Sequence, residues 1–254
     1  MIEVRELHEM AEFERVHALF DGIWGFGSGD PPITMELMRA LSHAGGYVAG
    51  AFDGDRLAGA SVGFLAAANT LHSHVTGAAA GHGIGLELKL HQRRWALERG
   101  LERITWTYDP LVRRNAHFNL AKLGARPLEY LPCFYGVMED AVNQGDESDR
   151  LLTEWPLADP RVAALARREP YDTPVPEGAA VALADVGGRP VAGPVDADTV
   201  LVAVPADIEG LRRTDPGTAK AWRHAVRDVL GGLMARGRRV TGFCGKSYYR
   251  VERA

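Results

Sequence analysis

Apolar positions along the chain switch between a spacing of two and a spacing of three to four, and the switching predicts an ordered run of strands and helices. Residues 2–7 alternate as a short strand, and Met10, Phe13, Val16 and Phe20 then recur at helical spacing. The glycine-rich stretch 22–32, which carries Trp24 and Phe26, reads as a mobile loop. Thr34 is the expected N-cap of a second helix bearing Met35, Met38 and Leu41, ending near Gly45-Gly46. Residues 47–52 and 56–65 flank Asp53-Gly54-Asp55, a hairpin signal. A strand at 71–79 feeds Gly81-His82-Gly83-Ile84-Gly85, and a helical run at 86–99 follows. A buried strand at 104–108, a helix at 115–123 stopped by Gly124 and a strand at 126–137 complete the succession.

Beyond a polar stretch at 143–149 the pattern resumes. It predicts a strand at 151–157, a short helix at 162–168, a Pro/Gly-rich segment at 170–178, a strand at 199–205, a long helix at 218–236 and a strand at 240–243. Glu98-Arg99-Gly100 and Ala235-Arg236-Gly237 both end a helix and enter a strand through a β-branched residue and Thr. A degenerate half-copy of the first core and a generic helix–glycine–strand junction explain this equally well. The expected fold class is α+β with a mixed sheet. The expected division is a catalytic domain at 1–157 and a C-terminal α/β extension at 158–254.

Composition narrows the function classes. The chain has 254 residues, 46% hydrophobic and 24% charged, enough for a sizeable core. A formal net charge of −4 gives no reason to invoke nucleic acid or an anionic membrane. Cys133 and Cys244 are too few and too far apart for a disulfide framework or a thiolate metal site, so no metal is expected. No apolar run approaches the roughly 18 residues of a membrane span, and the amino terminus lacks a signal-peptide core, so a soluble cytoplasmic protein is expected.

The glycine stretch is the most informative motif. Gly81, Gly83 and Gly85 let backbone N–H groups approach a ligand with no Cβ in the way. The helix that starts there adds unpaired N–H groups and a positive dipole end, together a seat for a phosphate. A dinucleotide fingerprint fails because its third glycine would fall on Leu86 or Leu88, and a P-loop fails for want of Gly-Lys-Ser/Thr. The segment resembles the acyl-CoA loop of the GNAT N-acyltransferase superfamily, Q/R-x-x-G-x-G/A, with Ala80 where the leading Arg or Gln stands. The longer run from Leu71 to Gly136, with His-Ser-His before the loop and Thr-Trp-Thr-Tyr-Asp-Pro-Leu after it, resembles a subgroup that includes amino-acid N-succinyltransferases.

That resemblance implies an acyl-CoA co-substrate, acetyl-CoA or succinyl-CoA, and transfer to a primary amine of a small molecule by direct attack. It implies a cofactor-binding set of Val75, Gly77, Gly81, His82, Gly83, Ile84, Gly85, Asn115 and Asn119. It places Trp24 and Phe26 over the acceptor amine. Pro110 ends the strand and aims Tyr108 and Asp109 toward the cleft where two strands part, and Tyr108, Asn119, Tyr130 and Tyr135 are the candidate acids where the usual tyrosine is missing. The residue four before Gly124, a tyrosine in most relatives, is Leu120 here. His72 and His74 are two apart on one strand, share a face and have a side-chain pKa suited to a base. Structural histidines are the competing reading. Arg113, Arg114 and Lys122 are cations that could meet a succinyl carboxylate, or plain surface charges. A weakly catalytic acyl-CoA-binding regulatory module is the alternative function, with a second copy of the chain as a candidate partner.

Overall fold

The computed structural model describes residues 2–27, 29, 31–79, 83–138, 140, 142–169 and 174–254. Contacts divide the chain into two compact units, Met1–Trp106 and Thr107–Ala254. The boundary expected at 157 falls inside the second.

In the first unit, β1 (Ile2–Glu6) leads to α1 (Met10–Trp24) and α2 (Met35–His43), then β2 (Tyr47–Asp53), β3 (Arg56–Ala66), β4 (Thr70–Ala78), α3 (Ile84–Glu98) and β5 (Arg103–Tyr108). Antiparallel ladders join β1 to β2, β2 to β3 and β3 to β4, while β4 and β5 run parallel. Phe13, Val16 and Phe20 of α1 and Met38 of α2 pack with Val48, Val62 and Val75 of the sheet. Helix α1 outlasts its expected end. Ile23 and Trp24 still have apolar surface to bury, and the helix stops only at Gly25, whose φ of 62° lets its N–H reach back to the Asp21 carbonyl. The stretch expected as a loop from residue 22 is thus helical through Trp24.

In the second unit, α4 (Arg113–Ala116) widens into a π-helical turn, His117–Lys122. Strand β6 (Arg126–Leu131) follows, ending earlier than the sequence pattern suggested. Pro132 lacks an N–H, and the turn after it is held by Cys133 N–H donating to Asp149 Oδ1 (2.9 Å) and Tyr135 N–H donating to Ser148 Oγ (2.7 Å). Short strands β7 (Val137–Met138) and β8 (Asp146–Glu147) pair with each other, and β9 (Arg150–Pro156) pairs antiparallel with β6.

Next come α5 (Pro160–Ala166), β10 (Ala180–Val186), β11 (Arg189–Ala192), β12 (Thr199–Ala203), α6 (Ile208–Thr214), α7 (Pro216–Val226), α8 (Gly232–Ala235), β13 (Arg239–Cys244) and β14 (Tyr248–Glu252). The sheet order is β11-β10-β12-β14-β13. The expected long helix is broken by a π-helical turn at Arg227–Gly231, where Gly231 lies against the Tyr130 ring.

The second unit is fastened by buried ion pairs. Asp109 accepts from Arg223 through both oxygens (2.9 Å each) and from Arg212 (2.6 Å). Asp146 Oδ2 accepts from the same two arginines at 2.9–3.3 Å. Arg227 grips Asp149, whose Oδ2 also accepts from the Tyr130 hydroxyl. Arg223 is 0% exposed. Burial would raise the Asp109 pKa, but Arg223 and Arg212 outweigh it and hold the carboxyl well below the usual range.

Removing one partner of such a set strands a buried charge, at a cost of about 3–5 kcal/mol. Arg223→Met is therefore expected to lower the unfolding free energy measured in urea by that order. Because the folded Asp109 pKa is depressed, its contribution is complete above about pH 4, the unfolded value, and is lost as the pH falls below it. Urea titrations at neutral and acid pH measure both effects.

Candidate active site

The site begins with a mismatch between β3 and β4. Val62 faces Val75 but Gly63 faces Ser73, so His74 is an extra residue on β4. A Cβ on Gly63 would stand 2.8 Å from the His72 carbonyl oxygen, so glycine is what lets the bulged backbone come close. On its other edge β4 pairs with β5 only at Thr70–Arg103, Leu71–Ile104 and His72–Thr105. A bulge adds twist and interrupts pairing. Among the described residues, the rest of β4 from Ser73 pairs with β3 alone, so the two parallel strands fork and one β4 edge has main-chain groups to offer a ligand.

Beside the fork stands the N-terminus of α3. Gly81 and His82 lie outside the described residues. Gly83 is the N-cap, with φ 69° and ψ 14°, a left-handed conformation that glycine adopts without strain. Its carbonyl accepts from the N–H groups of Leu86 (2.9 Å) and Glu87 (3.2 Å). Among the described residues nothing accepts from the N–H of Ile84 or Gly85. Among the described residues, a Cβ built on Gly83 or Gly85 would meet nothing within 4 Å, so these leave the space above both open. The Ile84 side chain turns inward to pack with Ala51, Ala58 and Leu88. Gly59 on β3 makes that seating close, since a Cβ there would stand 2.7 Å from Ile84 Cγ2. Ile84 thus has only its main chain for a ligand.

The two histidines are brought together. Both rings pack against Phe64, His72 at 5.1 Å and His74 at 6.1 Å between centroids. His72 Nδ1 lies 3.1 Å from Thr105 Oγ1, bridging the last β4–β5 pair. Burial, then the charges of His74 and Lys89, lowers its pKa and keeps the ring neutral. His74 is exposed, with Nε2 3.0 Å from the Pro32 carbonyl oxygen. A carbonyl only accepts, so Nε2 carries a proton, and in the neutral ring the lone pair is on Nδ1.

Beneath the fork lies a cluster that sequence reasoning missed. Lys89 of α3 is 5% exposed. Its Nζ donates to Ser73 Oγ and Gln92 Oε1, both at 3.0 Å, and sits 4.1 Å from the Trp106 ring centroid. Gln92 Nε2 donates to Ser73 Oγ (3.1 Å) and Ser61 Oγ (3.3 Å). No carboxylate pairs with Lys89 among the described residues, and burial pushes its pKa down to about 7. The available signal was the pair Lys89 and Gln92, three residues apart on a helix face otherwise formed by Ile84, Leu88, Trp95 and Ala96.

Other candidates are placed differently. Val75 is a core residue, and Gly77 is covered by α1, where a Cβ would stand 2.8 Å from both Ile23 and Trp24. Trp24 packs edge-on to Phe20 and Phe26 edge-on to His17, so both rings are engaged within the first unit. In the second unit Tyr108 is buried, which raises its pKa, and its hydroxyl lies 3.4 Å from that of Tyr249. Asp109, expected at the substrate, has both oxygens committed to arginines. Asn115 sits half-buried in the first turn of α4, and Asn119 is buried in the π-helical turn. Arg113 donates to the Val204 carbonyl, and Arg114 pairs with Glu209 through two bonds of 2.7 Å, so Arg114 is not a spare cation for an acyl tail. No group of three or more His, Cys, Asp or Glu among the described residues could hold a metal, and no described helix is long and apolar enough to cross a membrane.

No family model matches the sequence, and no curated protein is detectably similar to it. Solved structures do match. The ribosomal-protein-S18-alanine N-acetyltransferase of Escherichia coli superposes with a TM-score of 0.50 at 10% identity, over 62% of this chain and 94% of that one. The yncA protein of Salmonella typhimurium, solved with acetyl-CoA, gives 0.50 at 13% identity, over 62% and 95%. This is the GNAT N-acyltransferase fold. The GNAT likeness at such identities concerns architecture, and the chemistry rests on the residues above.

The GNAT-type fork carries a pH signature through Lys89. An unfolded lysine keeps its proton to about pH 10, whereas folded Lys89 sheds it near 7. Between those limits the unfolded chain binds more protons, so stability rises with pH. Lys89→Met is expected to flatten that rise, as thermal unfolding at about pH 6, 8 and 10 will measure.

Proposed function

We propose that the chain is an acyl-CoA-dependent N-acyltransferase that moves an acetyl group to the primary amine of a small molecule, an amino acid being one candidate. The observation that carries this reading is the conjunction of the β4–β5 fork with the N-terminus of α3, where Ile84 and Gly85 present N–H groups beneath open space. A diphosphate is the group that such a terminus receives, and an unpaired strand edge suits an arm of alternating amides. The choice of an acetyl donor is supported by a structural neighbour solved with acetyl-CoA. Succinyl is the longer alternative, and Arg114 is already held by Glu209.

The chain's own residues divide the work as follows. Main-chain N–H groups of β4 near the bulge polarise the thioester carbonyl, an arrangement worth several kcal/mol per donor in such sites. The His74 Nδ1 lone pair takes the proton that the amine must lose as it attacks. His72, neutral and hydrogen-bonded to Thr105, orients beside it. Residues 1–157 form the catalytic portion of this reading, and 158–254 supply an extension.

Gly85→Leu tests the cradle with little risk to the fold, because nothing lies within 4 Å of the added Cβ. We expect calorimetry to show acetyl-CoA affinity reduced at least about tenfold, and unchanged affinity sinks the placement. His74→Ala is expected to reduce amine-dependent thiol release by about 100-fold or more while leaving acetyl-CoA affinity intact. Binding by the wild type without turnover on any amine in a broad panel would point instead to a binding module.

A further inference from the structure

Lys89 is the one described residue whose charge is buried at the fork with no opposite charge to meet it. A buried ammonium without a carboxylate is costly unless each N–H finds an acceptor. Here each does: Ser73 Oγ on β4, Gln92 Oε1 on the same helix, and the face of Trp106 on β5. Ser73 is the residue next to the extra His74, and Trp106 follows the last laddered residue of β5. One side chain therefore touches both arms of the fork at the point where they part. We propose that Lys89 is a positioning residue for acyl transfer, pinning Ser73 to Trp106 so that the free β4 edge keeps the geometry a thioester requires. The inference rests on the acyl-transfer reading above.

The surroundings leave Lys89 this task alone. Among titratable groups on the strands that α3 covers, Glu6 of β1 is occupied by Trp95 Nε1 (2.9 Å) and Arg99, and Tyr47 of β2 by His91 Nδ1 (2.9 Å). His72 of β4 is the group that feels the Lys89 charge, with His74 as its other neighbour. Removing the ammonium should therefore move the His72 titration upward as well as loosen the fork.

The test compares wild type, Lys89→Met and Ser73→Ala. It uses calorimetry with acetyl-CoA, amine-dependent thiol release across pH, and NMR titration of the His72 ring in the free protein. Both variants are expected to lose about tenfold or more in kcat while their acetyl-CoA Kd stays within about threefold. Lys89→Met alone should raise the His72 midpoint. Turnover within about twofold of wild type in both variants, or an unmoved His72 midpoint in folded Lys89→Met, overturns the proposal. If Lys89→Met does not fold, Ser73→Ala decides: a kcat loss at constant Kd supports the pin, and unchanged kcat refutes it. Failure of the wild type to bind acetyl-CoA at all rejects the acyl-transfer reading itself, and the pin falls with it.

Discussion

One extra residue against one missing side chain organises the first unit. Because Gly63 has no Cβ, the His72 carbonyl can close on β3 and His74 can stand out of register. That local irregularity has a long reach. It turns the histidine side chains toward Phe64, it coincides with the end of the β4–β5 ladder, and it leaves a strand edge inside a sheet without a strand to cover it. Exposed edges are normally blunted, and this one is left open beside a glycine-capped helix.

The two units handle buried charge in opposite ways. Around Asp109 and Asp146 each carboxylate is matched by guanidinium groups, and the Arg–Asp forks supply geometry as well as neutralisation. Around Lys89 there is no neutralisation, only hydroxyl, amide and ring acceptors. The first arrangement fixes structure over a wide pH range. The second sits close to its own titration, which is how functional sites are commonly poised.

Much of the first unit was legible because its elements are strongly patterned. Phe13, Val16 and Phe20 announce α1, and Asp53-Gly54-Asp55 announces the β2–β3 hairpin. The errors have physical causes. Gly22 and Gly25 suggested a loop, but Trp24 carries enough apolar surface to extend the helix past the first of them. The bulge at His74 leaves no trace in periodicity, since one inserted residue among small and polar neighbours does not break a visible pattern. The hairpin of β10 and β11 was overlooked although Gly187 and Gly188, at φ 60° and 82°, make its turn. Asp109 read as a site residue because its ion partners, Arg212 and Arg223, lie more than a hundred positions away. The matching glycine turns at Gly100 and Gly237 were legible and are real, with parallel hydrogen bonds back to Leu97 and Met234. They are junctions of the same local kind, since β4 and β5 neighbour each other while β14 lies between β12 and β13.

The distance in sequence between Asp109 and Arg223, 114 positions, bears on how the protein is made. On the ribosome the segment holding Asp109, Asp146 and Asp149 emerges well before α6, α7 and the turn after it supply Arg212, Arg223 and Arg227. Until then those carboxylates must remain hydrated, and the second unit has to stay open to water until its last helices are synthesised.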